Sequence, residues 1–162
     1  RTTKTWLQDF LLRLKSENPK PSAYFIGLGT NDMSYVTLGN INDCGTDNET
    51  FYGMYSKIIR EIKAFNPNAK IFCCSLYYHP EYEAVKSYCK AIKEISEKYK
   101  CYYLDFINRF GKEYTNSDMV SLGHFTAPGY VKVAKQMKIL INEIIKANVK
   151  DFNFIGVKYK EI

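Results

Sequence analysis

The chain has 162 residues, of which 46% are hydrophobic, 25% are charged and 15% are aromatic, and its net charge is +6. This composition fits one globular domain and excludes a disordered chain, a collagen and a coiled-coil rod. The lysines are spread along predicted helices, which favours a solvated surface and argues against a nucleic-acid partner.

The predicted elements alternate between helix and strand. In chain order they are a helix over residues 5–16, a strand over 22–28, a helix over 50–65, a strand over 69–76, a helix over about 81–99, a strand over 101–105 and a helix over about 127–147. Apolar residues three or four positions apart predict the helices, and short continuous apolar runs predict the strands. Strands separated by helices indicate an α/β fold with a parallel sheet.

The predicted sheet is incomplete at its start. The chain begins on a helix, and three parallel strands alone would expose a long sheet edge. We therefore expect one or two strands upstream of Arg1, where any targeting signal would also lie, so cytoplasmic and secreted locations both stay open. An exposed edge would also favour a homodimer. The tail over residues 151–162 alternates weakly and is either an added edge strand or a remnant foreign to the fold.

Polar residues follow the first predicted strand. Gly29-Thr30-Asn31-Asp32 opens a stretch, residues 29–49, that is predicted to be a long loop. In open α/β sheets, ligands bind beyond the C-terminal ends of the strands. The side-chain amide of Asn31 is a suitable donor for an oxyanion. Ordinary turn chemistry is the alternative, because such residues are common in turns.

A histidine precedes the last predicted helix. At the start of that helix, Thr126 can cap the main chain and Pro128 can occupy the first turn. A histidine held in this way, His124, is well placed as a general base. A surface or capping histidine is the alternative.

The residues after the second predicted strand are less informative. Tyr77 and Tyr78 are expected to line a substrate pocket, with plain packing as the alternative. His79 is expected to be a surface histidine. The sequence contains no metal-ligand spacing and no phosphate-binding glycine loop, so we expect no metal ion and no cofactor. No apolar run approaches the roughly 18 residues of a membrane span.

Together, the two loop motifs resemble those of the SGNH (GDSL-type) hydrolase family. Gly29-Thr30-Asn31-Asp32 matches the family's third block, Gly-x-Asn-Asp, and His124 with Phe125-Thr126 and Gly129-Tyr130 is similar to its fifth block. The start, Thr2-Thr3-Lys4-Thr5-Trp6-Leu7, resembles the stretch after the second-block glycine. The resemblance predicts an SGNH hydrolase-like domain over residues 1–150, the C-terminal two-thirds of that fold.

The resemblance implies a flavodoxin-like, three-layer α/β/α sandwich whose N-terminal strands are absent from this chain. It also implies an ester-hydrolysing site, with a serine nucleophile after the family's first strand. By the same resemblance His124 would be the general base and Asn31 an oxyanion donor. Gly29 and Asp32 would support the Asn31 loop.

Two features depart from the family's pattern. The serine block is absent and the serines present follow no nucleophile pattern, so we expect the nucleophile upstream of Arg1. The family's acid usually lies three residues before the histidine, where this chain has Ser121. Asp118, six residues before His124, is the nearest carboxylate. Either Asp118 or a backbone carbonyl would then orient the imidazole, and the sequence leaves both open.

The predicted activity is that of a bacterial serine esterase or acylhydrolase acting on small esters. Its substrates would include acetyl groups on carbohydrate. A non-catalytic carbohydrate- or ligand-binding domain that kept the fold and lost the serine is the alternative. A fluorophosphonate probe distinguishes the two, because it reacts only with an activated serine.

Overall fold

The computed structural model describes residues 2–77, 83–121 and 124–152, without the side chains of Asn116 and Ser121. The elements in chain order are α1 (Thr3–Leu14), β1 (Ala23–Ile26), α2 (Asp32–Tyr35), α3 (Phe51–Phe65), β2 (Lys70–Cys74), α4 (Glu83–Lys98), β3 (Tyr102–Leu104), α5 (Phe106–Phe110), β4 (Met119–Ser121), β5 (His124–Phe125), α6 (Ala127–Ala147) and α7 (Val149–Phe152). Short 3-10 turns cover Ile41–Asp43, Gly111–Glu113 and Asn116–Asp118.

The strands β1, β2 and β3 form a parallel sheet in that order, so β2 lies in the middle. Ile26 at the end of β1 pairs with Cys73 of β2, and Cys74 pairs with Leu104 of β3. The C-terminal ends of the strands therefore meet at one edge of the sheet. At this edge the loop with Asn31 follows β1, and the segment with Leu76 and Tyr77 follows β2.

Helices cover both faces of the sheet. On one face α1, α3 and α4 pack into a core that includes Ile26, Ile71 and Cys73 of the strands. On the other face α5, α6 and α7 pack over Phe72 and Cys74. Alternate residues of β2 supply the two cores, because successive side chains of a strand point to opposite faces. The predicted three-layer α/β/α class is confirmed.

The helices α3 and α6 begin where the sequence supplies a cap. The Oγ1 atom of Thr50 accepts a hydrogen bond from the Gly53 N–H at 3.2 Å, and Thr126 does the same for Gly129 at 3.2 Å. Such caps satisfy main-chain N–H groups that the helix leaves unpaired. These local signals explain why the predicted bounds of both helices agree with the structure to within a residue. No helix in the described part of the chain has both the length and the apolar character needed to cross a membrane.

Residues 29–49, predicted to be a long loop, contain two short helical segments. One of them, α2, is held by its contacts with α4. The hydroxyl of Tyr88 donates to the carbonyl oxygens of Val36 at 2.7 Å and Asp32 at 3.2 Å. Because a helix of four residues is not stable by itself, local sequence does not reveal it.

The tail lies mostly outside the described residues. Its first two residues, Asp151 and Phe152, belong to α7, and Phe152 is buried with its ring 6.1 Å from that of Phe72. Residues 153–162 are not described, so the choice between an edge strand and a remnant stays a prediction. Within the described residues, β1 is an edge strand whose Phe25 stacks on Phe72 at 4.6 Å and is 48% exposed.

Candidate active site at the C-terminal edge of the sheet

The turn after β1 depends on Gly29. Its φ of +132° lies in the region that favours glycine, and a Cβ there would lie 3.0 Å from Cδ2 of Leu76 and 3.4 Å from the Phe51 ring. The Asp32 N–H donates to the Gly29 carbonyl oxygen at 3.1 Å and closes the turn. The turn places Asn31 and Asp32 directly beyond the C-terminal end of β1.

Asp32 ties this turn to the rest of the fold. Its side chain is 1% exposed, and Oδ1 accepts a hydrogen bond from the Thr3 N–H of α1 at 2.8 Å. Its carbonyl oxygen accepts from Tyr88 of α4. Burial raises the pKa of Asp32, while the hydrogen bond from Thr3 acts in the opposite direction. This geometry supports the predicted bracing role, in which Asp32 holds the Asn31 loop.

We expect Asp32→Asn to gain stability relative to the unmodified protein as the pH rises from about 4 to about 7. Because the folded-state pKa is raised, the folded chain holds this proton more tightly than the unfolded chain. Ionisation above the unfolded pKa of about 3.9 therefore lowers the stability, and asparagine cannot ionise. Asparagine still offers an oxygen to the Thr3 N–H. Urea unfolding at both pH values measures the difference.

Asp43→Asn is a control of opposite sign. Hydrogen bonds from Asn48, Asn40 and Thr50 lower the pKa of Asp43, so its stabilising contribution is present above the unfolded pKa and is lost as the pH falls. Relative to the unmodified protein, this variant should therefore recover stability as the pH falls from about 4 to about 3, and the two should change nearly in parallel above pH 4. Parallel pH profiles for Asp32→Asn and the unmodified protein would contradict the assigned effect of burial.

An open groove lies beside Asn31. It has a volume of about 560 Å³ and is lined by residues of α1 and of the segment that follows β1: Thr2, Thr5, Gln8, Asp9, Asn31 and Tyr35. The Asn31 side chain is exposed and does not cap α2. An exposed amide beside a groove can donate a hydrogen bond to a bound oxygen, which is the chemistry predicted for Asn31.

His124 lies on β5, in a short antiparallel pair with β4, and not in the irregular loop expected from the sequence. The histidine is exposed, whereas the next residue, Phe125, is buried. The ring of Phe125 lies 5.1 Å from Tyr114 and 5.6 Å from Tyr130. The buried phenylalanine thus anchors the segment and leaves the imidazole accessible.

Gly129 allows α6 to pack closely against the His124 segment. A Cβ at this position would collide with the carbonyl oxygen of Asp118 and would lie 3.1 Å from Cβ of Phe125. We expect Gly129→Ala to destabilise the protein by about 1–3 kcal/mol, measured by urea unfolding. Gly27→Ala is the matched control, since a Cβ at Gly27 meets no atom within 4 Å. Equal unfolding midpoints for the two variants would show that this close packing is unimportant.

The Asp118 carboxylate is held by other residues. Its Oδ2 atom accepts hydrogen bonds from the Thr115 N–H at 2.9 Å and from Lys132 Nζ at 3.0 Å, and these two groups lower the pKa of Asp118. Its carbonyl oxygen accepts from the Thr126 N–H at 2.9 Å. Among the described residues no hydrogen bond joins Asp118 to the His124 imidazole. The main chain of Asp118 thus holds Thr126, which follows the His124 segment. Orientation of the imidazole by the Asp118 carboxylate or by a backbone carbonyl stays a prediction.

The segment that follows β2 links the two loops. Leu76 contacts the Gly29 turn, while the ring of Tyr77 lies 5.8 Å from that of Phe125, the residue after His124. The Gly29 turn and the His124 segment therefore each approach one of two adjacent residues in the segment after β2. Tyr77 also packs on Phe106 at 4.8 Å, and burial raises its pKa. Its substrate contact stays a prediction, and Tyr78 and His79 lie outside the described residues.

Sequence reasoning missed the contribution of α1 to this site. The Thr3 N–H holds Asp32, and Thr5 and Gln8 line the groove beside Asn31. The resemblance placed residues 2–7 after the family's second block but gave them no role, because their contacts with the site form only when α1 packs against the turn. Among the described residues, no group of three or more His, Cys, Asp or Glu side chains is placed to hold a metal ion.

The sequence profile described as the GDSL-like Lipase/Acylhydrolase family matches residues 1–132. The chain belongs to this family. The match includes both the Asn31 loop and the His124 segment, and it confirms the resemblance seen in the two motifs. No curated protein matches the chain.

Solved structures of family members and related esterases share the fold of this acylhydrolase-family chain. A family 3 carbohydrate esterase from Clostridium thermocellum matches with a TM-score of 0.64 and 23% identity, over 91% of this chain and 68% of its own. A GDSL-like lipase from Bacteroides thetaiotaomicron matches with a TM-score of 0.54 and 21% identity, over 91% and 72%. The acetyl xylan esterase AlAXEase matches with a TM-score of 0.53 and 15% identity, over 81% and 73%.

Proposed function

We propose that this chain forms the larger part of a serine ester hydrolase that acts on small esters, including acetyl esters of carbohydrate. The observation that supports the proposal is that two adjacent residues after β2 approach the two motifs, Leu76 at the Gly29 turn and Tyr77 at Phe125. Asn31, directly beyond β1, and His124, next to Phe125, are both exposed in a chain that belongs to an acylhydrolase family. Two of the structures with the same fold are described as a carbohydrate esterase and an acetyl xylan esterase.

In the proposed reaction a serine upstream of Arg1 attacks the ester carbonyl. His124 takes the serine proton as the carbon–oxygen bond forms, and Asn31 donates a hydrogen bond to the resulting oxyanion. Collapse of this intermediate releases the alcohol, which receives the proton from His124, and leaves the acyl group on the serine. Water then attacks the acyl-serine with His124 again as base, and the acid leaves.

The open edge of β1 supports an upstream position for the serine. Within the described residues no strand pairs with the outer side of β1, and the large apolar side chain of Phe25 is half exposed there. A further parallel strand on this side would cover Phe25. Its C-terminal end would lie beside that of β1 and thus beside Asn31, where the proposed reaction needs a nucleophile.

Fluorophosphonate labelling tests the proposal. The complete reading frame that contains this chain and residues 1–162 alone would be produced in parallel, treated with the probe and examined by intact and peptide mass spectrometry. We expect one adduct on the longer product, on a serine upstream of Arg1, and p-nitrophenyl acetate hydrolysis by that product only. An adduct on a serine within residues 1–162 would overturn the assigned nucleophile. The absence of any adduct would favour the non-catalytic binding domain.

A further inference from the structure

The side chains that line the groove beside Asn31 indicate which ligands it could bind. Of the six described residues that line it, five have polar side chains: the hydroxyls of Thr2 and Thr5, the amides of Gln8 and Asn31, and the carboxylate of Asp9. The sixth is the aromatic ring of Tyr35. Among the described residues no aliphatic side chain lines the groove, but carbon atoms of the polar side chains and of Tyr35 give it apolar surface as well. A volume of about 560 Å³ falls within the range of about 300–1,000 Å³ typical of small-ligand sites.

Tyr35 is unusually exposed for an aromatic residue. At 81% exposed it is the most accessible large hydrophobic side chain among the described residues. Its backbone is nevertheless held firmly, because the Tyr88 hydroxyl donates to the carbonyl oxygen of the next residue, Val36, at 2.7 Å. A ring on a braced backbone beside a polar groove offers a flat surface for stacking.

These features select one kind of ligand. The lining offers carbon surface as well as hydrogen-bonding groups, and a long acyl chain would cover those polar groups without pairing them, which is costly. A sugar ring has hydroxyl groups for the polar side chains and an apolar face of C–H groups that packs on an aromatic ring. A lining that combines hydrogen-bonding groups, carbon surface and the exposed Tyr35 ring is therefore complementary to a saccharide.

We propose that this groove is a saccharide-binding subsite in which a sugar ring stacks on Tyr35 and its hydroxyl groups bond to Thr5 and Gln8. The inference rests on the proposed function in one respect. A sugar bound in the groove would hold its ester next to Asn31, the proposed oxyanion donor. Tyr35 and Gln8 would then determine substrate specificity without taking part in the chemistry.

Saccharide binding to the complete gene product tests this subsite without any need for catalysis, because a saccharide without an ester is not a substrate. Amide chemical shifts of the labelled chain would be followed during titration with xylotetraose, with cellotetraose and, separately, with sodium octanoate. We expect shifts in α1 and around Tyr35 with at least one of the two saccharides and none there with octanoate. Tyr35→Ala should weaken saccharide binding about 2- to 10-fold, and Tyr35→Phe should keep it.

Leu12→Ala is the matched control. Leu12 lies on the same helix as Thr5 and Gln8 and is 79% exposed, but it does not line the groove. Unchanged saccharide binding in Leu12→Ala together with weaker binding in Tyr35→Ala would support the subsite. Equal binding in all variants, shifts with octanoate only, or no binding of either saccharide would overturn it. The readout does not involve a serine, so failure of the esterase proposal in the labelling experiment is separate from failure here.

Discussion

Replacing His124 with alanine is expected to lower kcat for p-nitrophenyl acetate by about 10²–10⁴-fold in the gene product that carries the proposed serine. In the proposed reaction the imidazole takes the serine proton as the nucleophile attacks, so the substitution removes the general base. The side chain is exposed, and the neighbouring Phe125 anchors the segment, so the variant should remain folded. Initial rates at saturating ester measure the effect, and thermal unfolding verifies the fold.

His79→Ala is the matched control, since His79 is the other of the two histidines in the chain. We expect it to retain its activity. Added imidazole should restore part of the activity of His124→Ala, because a diffusing base can replace the missing side chain, whereas a purely structural defect would not respond. Full activity of His124→Ala would show that another group acts as the base.

Asn31→Ala is expected to lower kcat by about 10²–10³-fold with little change in KM. The amide would donate to an oxyanion that exists only in the transition state and the tetrahedral intermediate, so its loss should affect the chemical step more than substrate binding. Asp32 and Gly29 shape the turn, so the loop should keep its conformation. Steady-state kinetics with p-nitrophenyl acetate give both constants.

Asn42→Ala is a control for this prediction. Asn42 is an exposed asparagine in the same stretch of chain, on the 3-10 turn Ile41–Asp43, and it does not line the groove. Its kinetic constants should equal those of the unmodified protein. If Asn31→Ala instead raised KM by about 10²–10³-fold and left kcat unchanged, the amide would bind substrate and transition state equally well and would not be an oxyanion donor.

Local signals in the sequence determined much of the fold. The bounds of α3 and α6 follow from apolar spacing and from the capping residues Thr50 and Thr126, which act over a few residues. The three buried strands appear as apolar runs because both faces of the sheet are covered. The order of these elements, together with the motifs at Asn31 and His124, was enough to indicate the family.

Only the tertiary structure determined how the site is built. The helix α2, the pairing of β4 with β5, and the bond from the Thr3 N–H to Asp32 depend on contacts between residues far apart in the chain. The groove at Tyr35 likewise exists only because α1 packs beside the turn after β1. Elements of two to four residues have too few internal hydrogen bonds to be stable alone, so packing and not local propensity decides their conformation. Residue types and their order thus determined the fold class and the candidate motifs, while long-range packing decided which side chains meet.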